Sequence, residues 1–194
     1  MESVNFEQMR RAMVDSQLRT SGVTEAWVLA EMGRVPREDY VPVSHRTTAY
    51  MDRAITLSDH KVLNPPVATG LLLQAADVAP DDNVLLMGTA TDYVAALLDR
   101  RVPNVTAVDA ADIASAGKSA PYSLIIIDGA VEELPDSLLT LAADGARLVT
   151  GITDGAVTRL AKGYVHSGRV ALKPFIDSEI TPFTAFARKP EFVF

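Results

Sequence analysis

The spacing of hydrophobic positions changes about 80 residues into the chain. Residues 6–18 place their apolar side chains near one face of a helix that should end at Gly22, and a second helical run follows over residues 24–36. Further along, short aliphatic runs with almost no polar alternation recur at 83–88, 104–110, 122–129 and 145–152. Such runs are typical of parallel strands that are buried on both faces.

These patterns predict an α/β fold: a doubly wound, mostly parallel, Rossmann-like sheet preceded by a helical N-terminal extension. We assign residues 1–194 to a single domain, with the extension over 1–80 and the core over 81–194. The 194 residues, 48% of them hydrophobic, are enough to form one core.

Composition narrows the possible functions. The chain has 25 Asp and Glu against 18 Lys and Arg, a net charge of -7, and no basic cluster, so a nucleic-acid partner is not expected. The apolar runs are far shorter than the ~20 residues that span a bilayer, which predicts no membrane association. With no cysteine and no signal-peptide pattern, we expect a cytoplasmic protein. Three scattered histidines, His45, His60 and His166, fit no metal-binding spacing, so no metal site is predicted.

The segment "LLMGTATDYVAALL", residues 85–98, has the strand–turn–helix pattern that opens a nucleotide or S-adenosylmethionine site. It makes Gly88, Thr89 and Asp92 candidate cofactor-binding residues. Asp109 and Asp128 complete the candidate set, because each follows a predicted strand at the edge where the carboxyl ends of strands meet. Asp92, Asp109 and Asp128 could together attract a cation, a basic peptide or a lysine side chain. The alternative is three separate solvated caps and turn residues.

Five segments, taken in chain order, resemble protein-L-isoaspartate O-methyltransferases over nearly the whole chain. They are "AMVDSQLRTSGV", "VLAEMGRVPREDYVP", "AYMDRAITL", "VLLMGTATDYVAALL" and "GAVEELPDSLLTLAADGARLV", and parts of the second and third are rather specific to that family. The resemblance implies a class I methyltransferase fold with S-adenosylmethionine as methyl donor. It also implies methyl transfer to the α-carboxyl group of isoaspartate in damaged proteins.

The cofactor loop departs from the family pattern L-E-I-G-x-G-x-G-Y. Gly88 and Tyr93 match, but Leu86 replaces the acidic residue, and Ala90 and Asp92 replace the second and third glycines. A Cβ at 90 and a carboxylate at 92 should narrow the space for a ligand. We expect Asp92 to cap the following helix and to repel the carboxylate of an incoming methionine group.

Two further departures affect the adenine and the reacting carboxylate. Only 12 residues separate Asp109 from Tyr122, where the family has about 30, so the third strand that walls the adenine should be missing. Asp109 itself matches the family's ribose-binding acidic residue. Asn64, in "HKVLNPP", takes the position of a serine near the reacting carboxylate and is our candidate catalytic residue. Its alternative and favoured role is a helix cap, with Pro65 at the first helical position.

These observations favour a non-catalytic family member, with no bound cofactor, that recognises a protein or peptide. The alternative is an active carboxyl methyltransferase that uses S-adenosylmethionine and acts on isoaspartyl residues. A nucleotide-dependent oxidoreductase fits less well, since the second and third glycines of G-x-G-x-x-G are also missing. Loss of the third strand would leave residues 104–110 at the edge of the sheet. Either the short segment "ADIASAGKSA" folds over this unprotected edge or a second molecule covers it, and we expect the second, as a homodimer.

Overall fold

The computed structural model describes residues 4–58 and 61–188. His60 and the aromatic segment "PEFVF" at 190–194 lie outside the described residues. No helix within the described ranges is both long enough and apolar enough to span a membrane.

The first 80 residues form the predicted helical layer, joined by a small hairpin. Asn5 caps the first helix, since its Oδ1 accepts a hydrogen bond of 3.0 Å from the backbone N–H of Gln8. The chain turns at Gly22, whose φ of 92° suits glycine. The helices are α1 (Phe6–Met13), which continues as a π-helical turn (Val14–Leu18), α2 (Ala26–Arg34) and α3 (Pro66–Ala76), and the hairpin consists of β1 (Ile55–Ser58) and β2 (Lys61–Leu63).

Seven further strands form one sheet. They are β3 (Asn83–Gly88), β4 (Asn104–Ala107), β5 (Tyr122–Val131), β6 (Ala142–Asp154), β7 (Val157–His166), β8 (Arg169–Val170) and β9 (Lys173–Asp177). Their order in the sheet is β4-β3-β5-β6-β7-β8, with β9 also paired to β7. The first four strands in this order are parallel, and β7, β8 and β9 add antiparallel pairs.

Burial on both faces explains the unbroken aliphatic runs. Leu86 on β3 and Ile126 on β5 pack against the helical layer, which α4 (Thr91–Leu98) completes. The neighbouring Leu85 and Ile125 enter a second core on the opposite face. There, short elements cover the sheet: the 3₁₀ segment Ala110–Lys118, the four-residue helix α5 (Asp136–Leu139) and the residues around Phe183. The mostly parallel α/β fold is therefore confirmed.

The structure differs from the sequence prediction in the second half of the sheet. No helix separates the described strands β6, β7, β8 and β9; instead β6 returns directly as β7 through a turn in which Gly155 has φ of 62°. The predicted loss of the third strand is confirmed, because residues 110–118 are 3₁₀-helical and, among the described strands, β4 pairs only with β3. A segment this short cannot form a crossover helix and a further strand.

Gly151 fixes the distance between β5, β6 and the C-terminal segment. A Cβ there would lie 2.6 Å from Cγ2 of Ile180 and 2.9 Å from Cα of Ala130. We expect Gly151→Ala to lower the free energy of unfolding by about 2 kcal/mol because the core is overpacked. Gly33→Ala in α2 is the control: its Cβ would lie 3.7 Å from the nearest atom, and it should raise stability by ~0.5 kcal/mol. Urea unfolding of both variants measures these changes in the free energy of unfolding. Equal effects of the two substitutions would contradict the tight packing around Gly151.

Candidate functional site

A cleft lies at the carboxyl end of β3, between the β1–β2 hairpin and the turn into α4. Its main cavity has a volume of about 500 Å³ and is lined by the turn at 88–93, by Tyr40, Lys61 and Asp109, and by apolar residues of the hairpin. An adjoining lobe of about 510 Å³ is bounded by residues 181–185 and shares Lys61, Gly88, Thr89 and Asp109 with the first. Clefts of this size hold small ligands or single side chains of a partner.

Gly88 and Thr89 form the floor of the cleft. Gly88 has φ of 152°, and a Cβ at this position would lie 2.7 Å from the backbone oxygen of Asp128, so the close approach of β3 and β5 requires glycine here. The Thr89 N–H donates to that same oxygen at 3.3 Å. Its hydroxyl donates to the backbone oxygen of Val62 at 2.6 Å, which ties the turn to β2.

The predicted cap by Asp92 is wrong. The N-cap position of α4 is Ala90, and no side chain in the described part of the chain caps the helix. Asp92 lies in the first helical turn, beyond the position from which a carboxylate accepts the first free N–H groups. It is exposed and lines the cleft. The N-terminus of α4 therefore opens into the cleft without a side-chain acceptor of its own.

Only two of the three candidate carboxylates share the cleft. Asp92 and Asp109 are exposed and line it, together with Asp39, which was not a sequence candidate. Asp128 is fully buried within β5, which continues for three residues beyond it, so the expectation that it follows the end of a strand is wrong. Among the residues that the structure describes, no group of three histidine, aspartate or glutamate side chains could hold a metal ion.

Asn64 does not cap α3, because the N-cap is Pro65 and the helix begins at Pro66. Its side chain is instead fully buried. Nδ2 donates to Oδ1 of Asp128 at 2.9 Å and to the Asp128 backbone oxygen at 3.2 Å. Oδ1 accepts from the backbone N–H of Thr181 at 2.8 Å. Asn64 thus joins the segment before α3 to β5 and to the C-terminal wall of the cleft.

Arg37, which was not a candidate from the sequence, completes this buried connection. Arg37 is fully buried; its Nη2 donates to the backbone oxygen of Asn64 at 2.6 Å and its Nε to that of Ala49 at 2.8 Å. Its guanidinium lies over the ring of Tyr93, 5.0 Å from the ring centroid. The available signal was that Arg37 belongs to "VPREDYVP", one of the pieces that are rather specific to the family it resembles.

Burial shifts the pKa values of this interior group. It lowers the pKa of Arg37 and raises that of Asp128 to about 6, although the hydrogen bond from Asn64 and the charge of Arg37 oppose the second shift. At the cleft mouth, partial burial raises the pKa of Tyr40, with further contributions from the carboxylates of Asp39 and Asp92. The mouth of the cleft is therefore a region of negative potential.

The comparisons with known proteins agree with this architecture. Residues 8–118, more than half of the chain, match the sequence model of the family Protein-L-isoaspartate(D-aspartate) O-methyltransferase (PCMT). The chain belongs to this family. Relatives named protein-L-isoaspartate O-methyltransferase include one from Koribacter versatilis (strain Ellin345), 27% identical with 91% of each chain covered. Another, from Methanoculleus marisnigri (strain ATCC 35101 / DSM 1498 / JR1), is 29% identical with 90% of each covered.

Two solved structures show the same fold. One, named protein-L-isoaspartate O-methyltransferase, has a TM-score of 0.69 at 16% identity; the match covers 89% of this chain and 65% of the length of that one. The other is a putative protein-L-isoaspartate O-methyltransferase from Plasmodium falciparum in complex with S-adenosyl-L-homocysteine. Its TM-score is 0.68 at 14% identity, covering 93% of this chain and 98% of that one. The predicted family and the methyltransferase fold are confirmed.

The raised pKa of Asp128 predicts a pH dependence of stability. Because the folded-state pKa lies above the unfolded value, the contribution of Asp128 is fully present below about pH 4 and is lost as the pH rises through about 6. The Asp128→Asn variant keeps a neutral side chain at every pH. Its unfolding free energy, relative to the wild type, should therefore rise by about 2 kcal/mol from pH 4 to pH 7.

Urea unfolding at several pH values measures this difference. The same substitution at exposed Asp81, at the opposite end of β3, serves as the control because no burial penalty is relieved there. If the difference in unfolding free energy between the wild type and Asp128→Asn does not change between pH 4 and pH 7, the carboxyl group of Asp128 does not have the raised pKa of a buried group.

Proposed function

We propose that this chain is a member of the protein-L-isoaspartate O-methyltransferase family that binds a basic segment of another protein in its cleft and does not transfer methyl groups. The observation that carries the proposal is the burial of Asn64 at the position of the family's serine. The negative charges that line the cleft, and the residues of the turn at 88–93, support it further.

Asn64 is poorly placed to contact a substrate carboxylate. Its amide is already hydrogen-bonded at both ends, to Asp128 and to Thr181, and it does not line either lobe of the cleft. To reach a ligand, Asn64 would have to give up bonds that satisfy buried groups, at a cost of about 1–3 kcal/mol for each group left unpaired. This position therefore favours a structural role over a catalytic one.

The residues of the cleft fit S-adenosylmethionine at one place and oppose it at others. Asp109, which the family resemblance assigns to the ribose hydroxyls, lines the cleft. The exposed carboxylate of Asp92, however, lies beside the turn that would receive a methionine carboxylate, and Ala90 adds a Cβ to that turn. In the described part of the sheet, no strand pairs with the outer side of β4, so no strand forms an adenine wall there. Together these features favour weak donor binding.

The charge of the cleft favours a cationic ligand. Three carboxylates, those of Asp39, Asp92 and Asp109, line the main cavity, and Lys61 is the one basic residue in its described lining. The walls between them include Tyr40 and apolar side chains of the hairpin. A lysine or arginine side chain matches this combination, since its aliphatic part packs on apolar surface while its charged end meets a carboxylate.

Calorimetric titration separates binding from catalysis. We expect S-adenosylmethionine and S-adenosylhomocysteine to bind with dissociation constants above ~100 μM, weaker than about -5.5 kcal/mol. An isoaspartyl peptide should not be methylated. A lysine-rich peptide should bind, and Asp92→Asn should weaken it by about threefold or more at low salt because one attracting charge is removed. Asp81→Asn should leave peptide binding unchanged.

Active methyl transfer is the second candidate, and two observations favour it. The N-terminus of α4 opens into the cleft without a side-chain cap, which suits an anionic group, and Asp109 is retained. Single-digit micromolar binding of S-adenosylmethionine, together with methylation of the isoaspartyl peptide, would establish this alternative and rule out our proposal.

Restoring the glycines tests whether the loop limits donor binding. The double variant Ala90→Gly with Asp92→Gly removes a Cβ and a repelling carboxylate, so S-adenosylhomocysteine should bind about fivefold more tightly, a gain of ~1 kcal/mol. Asp92→Asn is the matched control, since it removes the charge and keeps the side chain. If the wild type and the double variant both show undetectable binding, the missing third strand and not the loop is the limiting defect.

A further inference from the structure

The outer side of β4 is the least protected part of the sheet. We define the β4 edge as Asn104–Ala107, which pairs with β3 on one side only. Within residues 4–58 and 61–188, no turn, loop or side chain hydrogen-bonds to the opposite side of this strand. Val105 and Thr106 are half-buried, and the backbone beside them presents its outward N–H and C=O groups to solvent.

The opposite edge of the sheet is protected against the addition of another strand. There, β9 carries Lys173, Pro174 and Asp177, and its pairing with β7 is interrupted by an irregularity in register. Charged residues, proline and bulges are the usual means of preventing strand addition. The β4 edge has none of these, because it contains no proline, no charged residue and no shift in its register with β3.

The shortened connection after β4 does not run along the edge. Its 3₁₀ segment, Ala110–Lys118, packs under the second face of the sheet, where the Tyr122 hydroxyl donates to the backbone oxygen of Ala116 at 2.8 Å. Val108 and Ile113 remain only partly buried. Apolar side chains that another strand would cover therefore flank the edge.

We propose that a second copy of this chain pairs with the β4 edge in antiparallel orientation, about a two-fold axis near Val105 and Thr106. The charges around the edge favour a second copy over an unrelated strand. Arg100 and Arg101 precede β4 together with one aspartate, Asp99, so this end carries a net positive charge, and exposed Asp109 and Asp112 follow the strand. Antiparallel pairing brings the beginning of one β4 beside the end of the other, so Arg100 of each copy approaches the aspartates of its partner. The surface is thus self-complementary, as a two-fold interface requires.

This arrangement places the second copy beside the cleft. Asp109 both follows β4 and lines the two lobes of the cleft. In the dimer, Arg100 of the second copy lies near this carboxylate and offsets part of the negative potential at the cleft mouth. The inference rests on the sheet and its charges, and it holds whichever ligand the cleft binds.

Sedimentation velocity of the full chain tests the pairing. We expect the wild type to be a dimer at about 50 μM, and Thr106→Lys, which places two like charges beside the axis, to raise the dimer dissociation constant at least about tenfold. Arg100→Glu should weaken the dimer, and Arg100→Glu combined with Asp109→Arg should restore it. Arg53→Glu is the control, since it changes an exposed arginine of the helical extension by the same charge.

Thr106→Pro removes a backbone donor from the strand and should also give monomers. If that variant fails to fold, as judged by circular dichroism, Thr106→Lys decides the question, because it keeps every backbone donor. A wild type that stays monomeric up to about 100 μM overturns the proposal. So does a dimer that Thr106→Lys and Arg100→Glu leave unchanged, or one that Arg53→Glu weakens equally.

Discussion

The buried hydrogen bonds of Asn64 connect all the parts of the protein that meet at the cleft. Asn64 is held from the helical side by Arg37, binds Asp128 in the sheet, and accepts from Thr181 in the C-terminal wall. Buried polar groups are costly unless they are paired, so each of these residues depends on the others. The position of the cleft walls relative to β3 follows from this one connection.

The same connection explains why the cleft and the interior have different chemistry. Asp128 lies against Gly88 and is not among the described residues that line the cleft, and burial favours the neutral form of its carboxyl group. Asp92 and Asp109, in contrast, are exposed and line the cleft. The turn at Gly88 thus separates the structural carboxyl group of Asp128 from the exposed carboxylates that could attract a ligand.

The short connection after β4 affects both the cleft and the edge of the sheet. Twelve residues between Asp109 and Tyr122 suffice to return beneath the sheet to β5, and not to build another strand. The cleft therefore loses the wall that a further strand would form, and β4 becomes the outermost strand. Within the family fold, one deletion changes the ligand site and creates a candidate surface for assembly.

The sequence by itself determined the helical extension, the parallel strands, the absence of the third strand and the loop at Gly88. Each of these follows from local spacing of apolar residues, from chain length or from a glycine at a tight turn. Only the tertiary structure decided the roles of Asn64, Asp92, Asp128 and Arg37. Asn64 lies one position before the N-cap of α3, and Asp92 lies two positions after the N-cap of α4, so neither takes the capping position that the sequence suggested. The burial of Asp128 and Arg37 depends on contacts between segments far apart in the chain. Burial and pairing decide what a polar side chain does, and neither is a local property of the sequence.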